Sequence, residues 1–172
     1  MSKDLLEKLT FKHREIAVGG TFDILHAGHK KLLERAFELG QVVFIGVSGD
    51  RLVSGLDKDH RVKSFNARRS NLIGFLKSKG WFRRARIVEL KDWFGPVTRR
   101  RNLGALVVSR ESRYRGRLVN SLREKNGLPP IRLYVVRLVM AEDGLPISVT
   151  RIKRGEIDPE GKPARKRKTR LG

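Results

Sequence analysis

The sequence predicts a Rossmann-like α/β sandwich, a parallel five-stranded sheet flanked by helices. Three observations carry that expectation. Short apolar runs alternate with helix-patterned stretches along the chain. The first run, Ile16-Ala17-Val18, leads into a glycine-rich string, Gly19-Gly20-Thr21-Phe22-Asp23-Ile24-Leu25-His26-Ala27-Gly28-His29, and then into a helical pattern. With 172 residues and 39% hydrophobic content, the chain suits one ordinary domain with a real core. Strands separated by helices pair in parallel through crossovers, which sets helices against the sheet faces.

Taken in order, residues 2–12 read as a short amphipathic helix, with Leu5, Leu6 and Leu9 on one face and Ser2 as N-cap. Strands are expected at 15–18, 42–47, 86–90, 105–108 and 132–138, and helices at 30–39, 66–79, 96–102 and 117–125. No internal repeat or composition break interrupts residues 1–158, so that span reads as a single domain with residues 1–13 as a helical extension. Residues 159–172 read as a basic, flexible tail. From Lys162 onward there are six cations, no acid and almost nothing apolar, too little burial to offset the entropy of ordering.

The formal net charge of +21 points to anionic partners: nucleic acid, an acidic membrane surface or small polyanionic substrates. The tail explains only part of it, and acids are too few to pair most of the remaining cations. No run approaches the ~20 apolar residues that span a bilayer, and the N-terminus lacks a signal-peptide pattern. Cysteine is absent, which removes disulfides and cysteine metal sites. A cytoplasmic enzyme is the expectation.

A strand, a glycine turn and a helix start form the geometry in which backbone N–H groups and a helix dipole converge on an anion. Gly19 and Gly20 permit close backbone approach, Thr21 adds a hydroxyl, and Gly28 leaves room beside His26 and His29. A bare Gly-Gly pair is usually only a turn. The two histidines, three apart, have metal half-site spacing, but the other two, His13 and His60, lack the spacing to complete it. In α/β sheets ligands bind outside the carboxyl ends of the strands. Ser48-Gly49-Asp50, Ser109-Arg110-Glu111-Ser112 and Ile147-Ser148-Val149-Thr150-Arg151 are expected to gather there with the turn. In the last, Ser148 or Thr150 can cap a short helix that Gly155 ends, a capped terminal turn on its own. Hydroxyls and Arg151 at a helix start also suit the outer phosphates of a nucleotide.

The first string resembles the HxGH signature of the nucleotidyltransferase superfamily, and the segment around Ile147–Arg151 resembles its second signature. The longer run through Gly155-Glu156-Ile157-Asp158, with Asn120-Ser121-Leu122-Arg123 and Ala141-Glu142-Asp143-Gly144, resembles the archaeal phosphopantetheine adenylyltransferases. The likeness covers about residues 15–158. It implies the nucleotidyltransferase fold and transfer of AMP from ATP to 4′-phosphopantetheine, with Mg²⁺ accompanying the triphosphate. It also implies His29 as donor to the α-phosphate with His26 beside it, Thr21 on the acceptor phosphate, and Lys58 or Lys63 bridging the reacting phosphates. Nucleotide contacts are implied at Gly19, Gly20, Phe22, Asp23, Ser109, Glu111, Arg123, Ser148, Thr150 and Arg151, with Asp23 ordering the turn rather than binding metal. Val149 stands where the family usually carries a hydroxyl, which removes one phosphate contact.

Two other readings stay open. A glycerol-3-phosphate cytidylyltransferase or an FAD synthetase shares the first signature, but those carry Arg-Thr-x-Gly where this chain has Glu142-Asp143-Gly144-Leu145. A nucleic-acid-binding protein on the same scaffold fits the charge but lacks any RRM, KH or zinc-finger pattern. Weak nucleic-acid association through the basic tail is compatible with the enzyme reading; the oligomeric state is open.

Overall fold

The computed structural model describes residues 11–55 and 61–164. Five strands, β1 (His13–Gly20), β2 (Gly40–Ser48), β3 (Ala85–Leu90), β4 (Ala105–Ser109) and β5 (Arg132–Val136), form one sheet. The helices are α1 (Ala27–Leu39), α2 (Asp50–Ser54), α3 (Phe65–Ser78), α4 (Arg113–Lys125) and α5 (Val149–Lys153). Strand order is β3-β2-β1-β4-β5, and every pairing is parallel. The strands β1, β2 and β3 therefore step outward one way while β4 and β5 step the other. The direction reverses beside β1, which opens a crevice above the carboxyl ends of β1 and β4.

Side-chain alternation along the strands divides the core. Ile16, Val18, Val43, Ile45 and Val107 pack on one face with Leu33 and Phe37 of α1 and Leu72 and Leu76 of α3. Ala17, Leu106 and Val108 face the other way, onto Val119 of α4 and Ile131. Leu33 and Leu72 are wholly buried, so truncating either to alanine would cost about 2–5 kcal/mol.

The structure corrects several expected boundaries. The strand β1 runs through Gly19 and Gly20, which pair with Gly46 and Val47, so the turn begins at Thr21. Helix α1 starts at Ala27 because His26 caps it. Helix α4 starts at Arg113, and α2 was not anticipated. The helix expected over 96–102 is only a 3-10 turn, Gly95–Thr98. Gly95 there has φ of 55°, and the Asp92 carboxylate accepts from the Phe94 and Gly95 N–H groups, which fixes a turn instead of a helix. The expected flexible tail also begins too early. Ala27 N–H donates to the Pro159 carbonyl, Glu142 N–H to Gly161, and Ala164 N–H to Glu156, at 2.9, 2.9 and 3.0 Å. Residues 159–164 are therefore fastened to the fold; the remaining basic stretch lies outside the described residues, as does nearly all of the expected N-terminal helix. No helix among the described residues is long and apolar enough to cross a membrane.

Candidate active site

Two glycines make the floor. Gly19 of β1 and Gly46 of β2 are register partners, so adjacent strands lack side chains at one level. A Cβ on Gly46 would fall 2.9 Å from the Leu90 side chain. The chain then turns sharply at Phe22, the one described non-glycine residue in the left-handed region, at φ of 52°. Its ring is 1% exposed in the main core, and that burial holds the strained backbone in place. The same ring would lie 3.1 Å from a Cβ on Gly20, so a side chain there would press on the ring that holds the turn.

At the start of α1 the two imidazoles stack, with ring centroids 3.9 Å apart. Nδ1 of His26 accepts the Gly28 N–H at 3.1 Å, which leaves its ring proton on Nε2. Burial, reinforced by the charges of His29 and Lys30, lowers its pKa to about 3. His26 is thus a neutral N–H donor at any physiological pH. Nδ1 of His29 lies 3.0 Å from the Ile24 carbonyl, which can only accept, so that nitrogen carries a proton. For Nε2 of His29 to donate to a phosphate as well, the ring must be an imidazolium. Gly28 preserves this pair: a Cβ there would sit 3.0 Å from Cε1 of His26.

Behind the turn lies a lattice of charge. Asp23 is 2% exposed; its Oδ1 accepts the Lys63 N–H at 2.8 Å, and its Oδ2 pairs with Nζ of Lys153. Burial alone would raise the Asp23 pKa, but the Lys153 and Lys63 hydrogen bonds and both lysine charges hold it below the ordinary carboxylate value. Lys153 also donates to the Arg61 carbonyl. Arg68, wholly buried, does more. Its guanidinium donates to the carbonyls of Lys63 and Thr21, each at 2.8 Å, and to the Asp50 carboxylate at 2.9 Å. One side chain thereby joins the glycine turn, the segment after β2 and the end of the 56–63 connection. Three donors in a rigid fork make arginine the residue able to do this.

The sequence-predicted residues divide accordingly. Gly19, Gly20, Thr21, Phe22, Asp23, His26, His29 and Lys63 are brought together, with Lys63 engaged through its backbone and its side chain exposed. Lys58 lies outside the described residues. Ser109 exchanges hydrogen bonds with Ser112 at the head of α4, hydroxyl to hydroxyl at 2.9 Å, and Glu111 is exposed there. Ser148 caps α5 by accepting the Arg151 N–H at 3.3 Å, Thr150 is half-buried, and Gly155 ends the segment at φ of 69°.

Arg151 pairs with Asp143 and Glu156 and donates to the Pro146 carbonyl within its own segment, while Lys153 is the cation that reaches the turn. One assignment is corrected. Arg123 is wholly buried at the opposite end of the sheet, where it donates to the carbonyls of Val97, Arg100 and Pro129. Asn120 likewise bridges both backbone groups of Ile131. The shared helix face of these two residues serves packing, not a nucleotide. Lys153 and Arg68 were missed. Lys153 had a signal, three residues after Thr150 on one helix face; Arg68 had none, because nothing local distinguishes it from Arg69.

Beside the turn an apolar pocket opens across the glycine floor. Leu90, Phe94 and Val108 line it, with Thr21, Ser48 and Ser112 as its polar contacts. Arg115, at the same wall, stacks 4.4 Å over the Trp93 ring. Among the described residues no cluster of three His, Cys, Asp or Glu side chains is placed to hold a metal ion.

Comparison with known proteins agrees with this geometry. A family model described as cytidylyltransferase-like matches residues 17–155. The chain is 40% identical over 155 residues to a phosphopantetheine adenylyltransferase from Pyrococcus abyssi, covering 90% of this chain and 98% of the relative. It is 41% identical over 151 residues to the protein of the same name from Methanosarcina mazei, covering 86% and 96%. A crystal structure of a protein of unknown function from Archaeoglobus fulgidus superposes with a TM-score of 0.64 at 31% identity, covering 71% of this chain and 88% of that one. The likeness runs over nearly the whole length of both named relatives, and the chain belongs to the cytidylyltransferase-like family and, within it, to the archaeal phosphopantetheine adenylyltransferases.

Proposed function

We propose that this chain transfers AMP from ATP to 4′-phosphopantetheine, giving dephospho-coenzyme A and pyrophosphate. One observation carries the reading: the histidine-bearing glycine turn opens directly onto an apolar pocket with few polar groups. A phosphate held at Thr21 would lie at that mouth, with a slender amide-bearing arm lying across the side-chain-free floor of Gly19 and Gly46.

An acceptor phosphomonoester is largely dianionic near neutrality, its second pKa being about 6. It needs no general base. One of its oxygens forms a bond to the α-phosphorus as the bond to the pyrophosphate oxygen breaks, and the electron pair leaves with pyrophosphate. What opposes the step is repulsion between polyanions and charge growing on the α-phosphate and leaving group. Catalysis is positioning plus electrostatic stabilisation. His26 offers a neutral N–H from Nε2. His29 donates from Nε2 as an imidazolium, whose charge the approaching phosphates favour. Both rings are pre-oriented by their Nδ1 bonds, so little reorganisation accompanies the step.

Bound with the triphosphate, Mg²⁺ would neutralise its outer charge. Asp23, the carboxylate of the turn, is already engaged by Lys153 and the Lys63 N–H, so it would order the turn rather than hold that ion. The test is pyrophosphate release by the purified protein, with ATP or CTP and 4′-phosphopantetheine or glycerol 3-phosphate. Release with ATP and phosphopantetheine supports the reading. Release only with CTP and glycerol 3-phosphate replaces it with a cytidylyltransferase.

A further inference from the structure

Positive charge is not confined to the phosphate-binding edge. In a parallel sheet the amino ends of all five strands gather at the opposite edge. There Arg14, Arg83, Arg86, Arg99, Arg101 and Arg132 are all exposed. None of the six has a carboxylate within ion-pair distance among the described residues. The nearby acids Glu15 and Glu38 are taken by Arg100 and Arg35, which leaves Glu124 as the exposed carboxylate of that end among the described residues. His13 senses the resulting field: burial, then the charges of Arg132 and Lys12, lower its pKa.

Such an edge repels itself and works against compactness. Substrates at the far edge cannot relieve it. The eight residues of β1 put roughly 26 Å between the two ends, well beyond a Debye length of about 8 Å in physiological salt. The edge also carries an exposed ring. Phe82, just before β3, is 41% exposed, with Nζ of Lys77 5.4 Å from its centroid. An aromatic face among unpaired arginines combines base stacking with phosphate contact. Across five strands the edge spans about 19 Å, room for several consecutive phosphates of an extended strand.

We propose that the amino edge of the sheet binds single-stranded nucleic acid through its phosphates, with Phe82 as a stacking platform. The surface is independent of adenylyl transfer and is built from residues of the sheet's amino edge.

Fluorescence anisotropy with a labelled single-stranded RNA of about 20 nucleotides tests this across a salt series, with the full chain. Wild type binds, with a slope of log K against log salt near −4, about 0.7 per phosphate contact. The variant R83E/R86E/R132E binds at least tenfold more weakly and its slope shallows by about 2. Its adenylyl transfer stays unchanged and its melting temperature does not fall, because like-charge repulsion at the edge is relieved, and R83Q/R86Q/R132Q shows the same direction of effect. Phe82→Ala weakens single-strand binding severalfold without moving the slope. Wild-type binding by both triple variants overturns the proposal, as does equal loss in R69E/R113E/R117E, which would make net charge alone responsible. Loss on deleting residues 165–172 overturns it in favour of the terminus. Binding of anionic phospholipid vesicles but not RNA overturns it in favour of a membrane surface.

Discussion

Replacing His26 by asparagine separates the capping role of the residue from its titration. Asparagine keeps an acceptor for the Gly28 N–H and is itself a favoured N-cap, but it does not ionise. In the native protein the His26 pKa falls from 6.5 to about 3, through burial and then the neighbouring His29 and Lys30 charges. Between those values the unfolded chain binds a proton that the folded chain refuses. The contribution is therefore intact above pH 6.5 and lost as pH falls toward 3. At 1.36 kcal/mol per unit, the 1.5 units between pH 6.5 and pH 5 correspond to about 2 kcal/mol. Any folded pKa at or below about 4 gives the same figure at pH 5, so the result does not hinge on the depth of the shift. Urea denaturation at pH 7, 6 and 5 measures it. Wild type should lose about 2 kcal/mol relative to His26→Asn between pH 7 and pH 5, while carboxylates common to both proteins cancel in the difference. Parallel stability curves would refute the assignment of His26 as a buried neutral donor.

Other substitutions test the rest of the site. His29→Ala should lower kcat by about 10²–10³ with a smaller change in ATP affinity, as for a donor acting mainly in the transition state; a change within a few-fold makes His29 structural. Gly28→Ala drives a Cβ to 3.0 Å from the His26 ring and should reduce kcat about tenfold or more, read by steady-state kinetics beside an unchanged far-ultraviolet spectrum. Arg68→Met leaves the Thr21 and Lys63 carbonyls without their donor. It should cost about 2–4 kcal/mol in stability and raise KM for both substrates. Arg68→Lys, which keeps the charge but not the fork, should recover only a minor part; full recovery would show that charge and not geometry organises the turn.

Much of the fold was legible because its signals are local. Apolar strands such as 42–47 and helix-patterned stretches such as 66–79 show themselves within a few residues, and the parallel pairing of the strands follows from their alternation. The phosphate-binding turn was legible for the same reason: its glycines, Thr21 and the two histidines are contiguous. Long-range partnerships were not. Arg123 and Arg68 are both basic residues on helices, yet one donates to carbonyls at the amino edge and the other to the glycine turn. Only the tertiary path of the backbone distinguishes them. The ion pairs of Arg151 were not legible because its acids, Asp143 and Glu156, flank it at distances that become contacts only after the chain folds back. Pro159 and Gly161 sit among charged residues and resemble a tail, but their carbonyls complete hydrogen bonds of Ala27 and Glu142. The backbone of a segment can belong to a fold when its side chains do not.

The proposed transfer is a direct attack by the acceptor phosphate on the α-phosphorus, organised by the glycine turn and its histidines. Stereochemistry at phosphorus tests that most directly. ATP carrying sulfur at one configuration of the α-phosphate is incubated with 4′-phosphopantetheine and Mg²⁺, and the configuration of the product is determined. A single in-line displacement predicts thio-substituted dephospho-coenzyme A with inverted configuration. Retention, which requires a nucleotide carried covalently on the protein between two displacements, would contradict it.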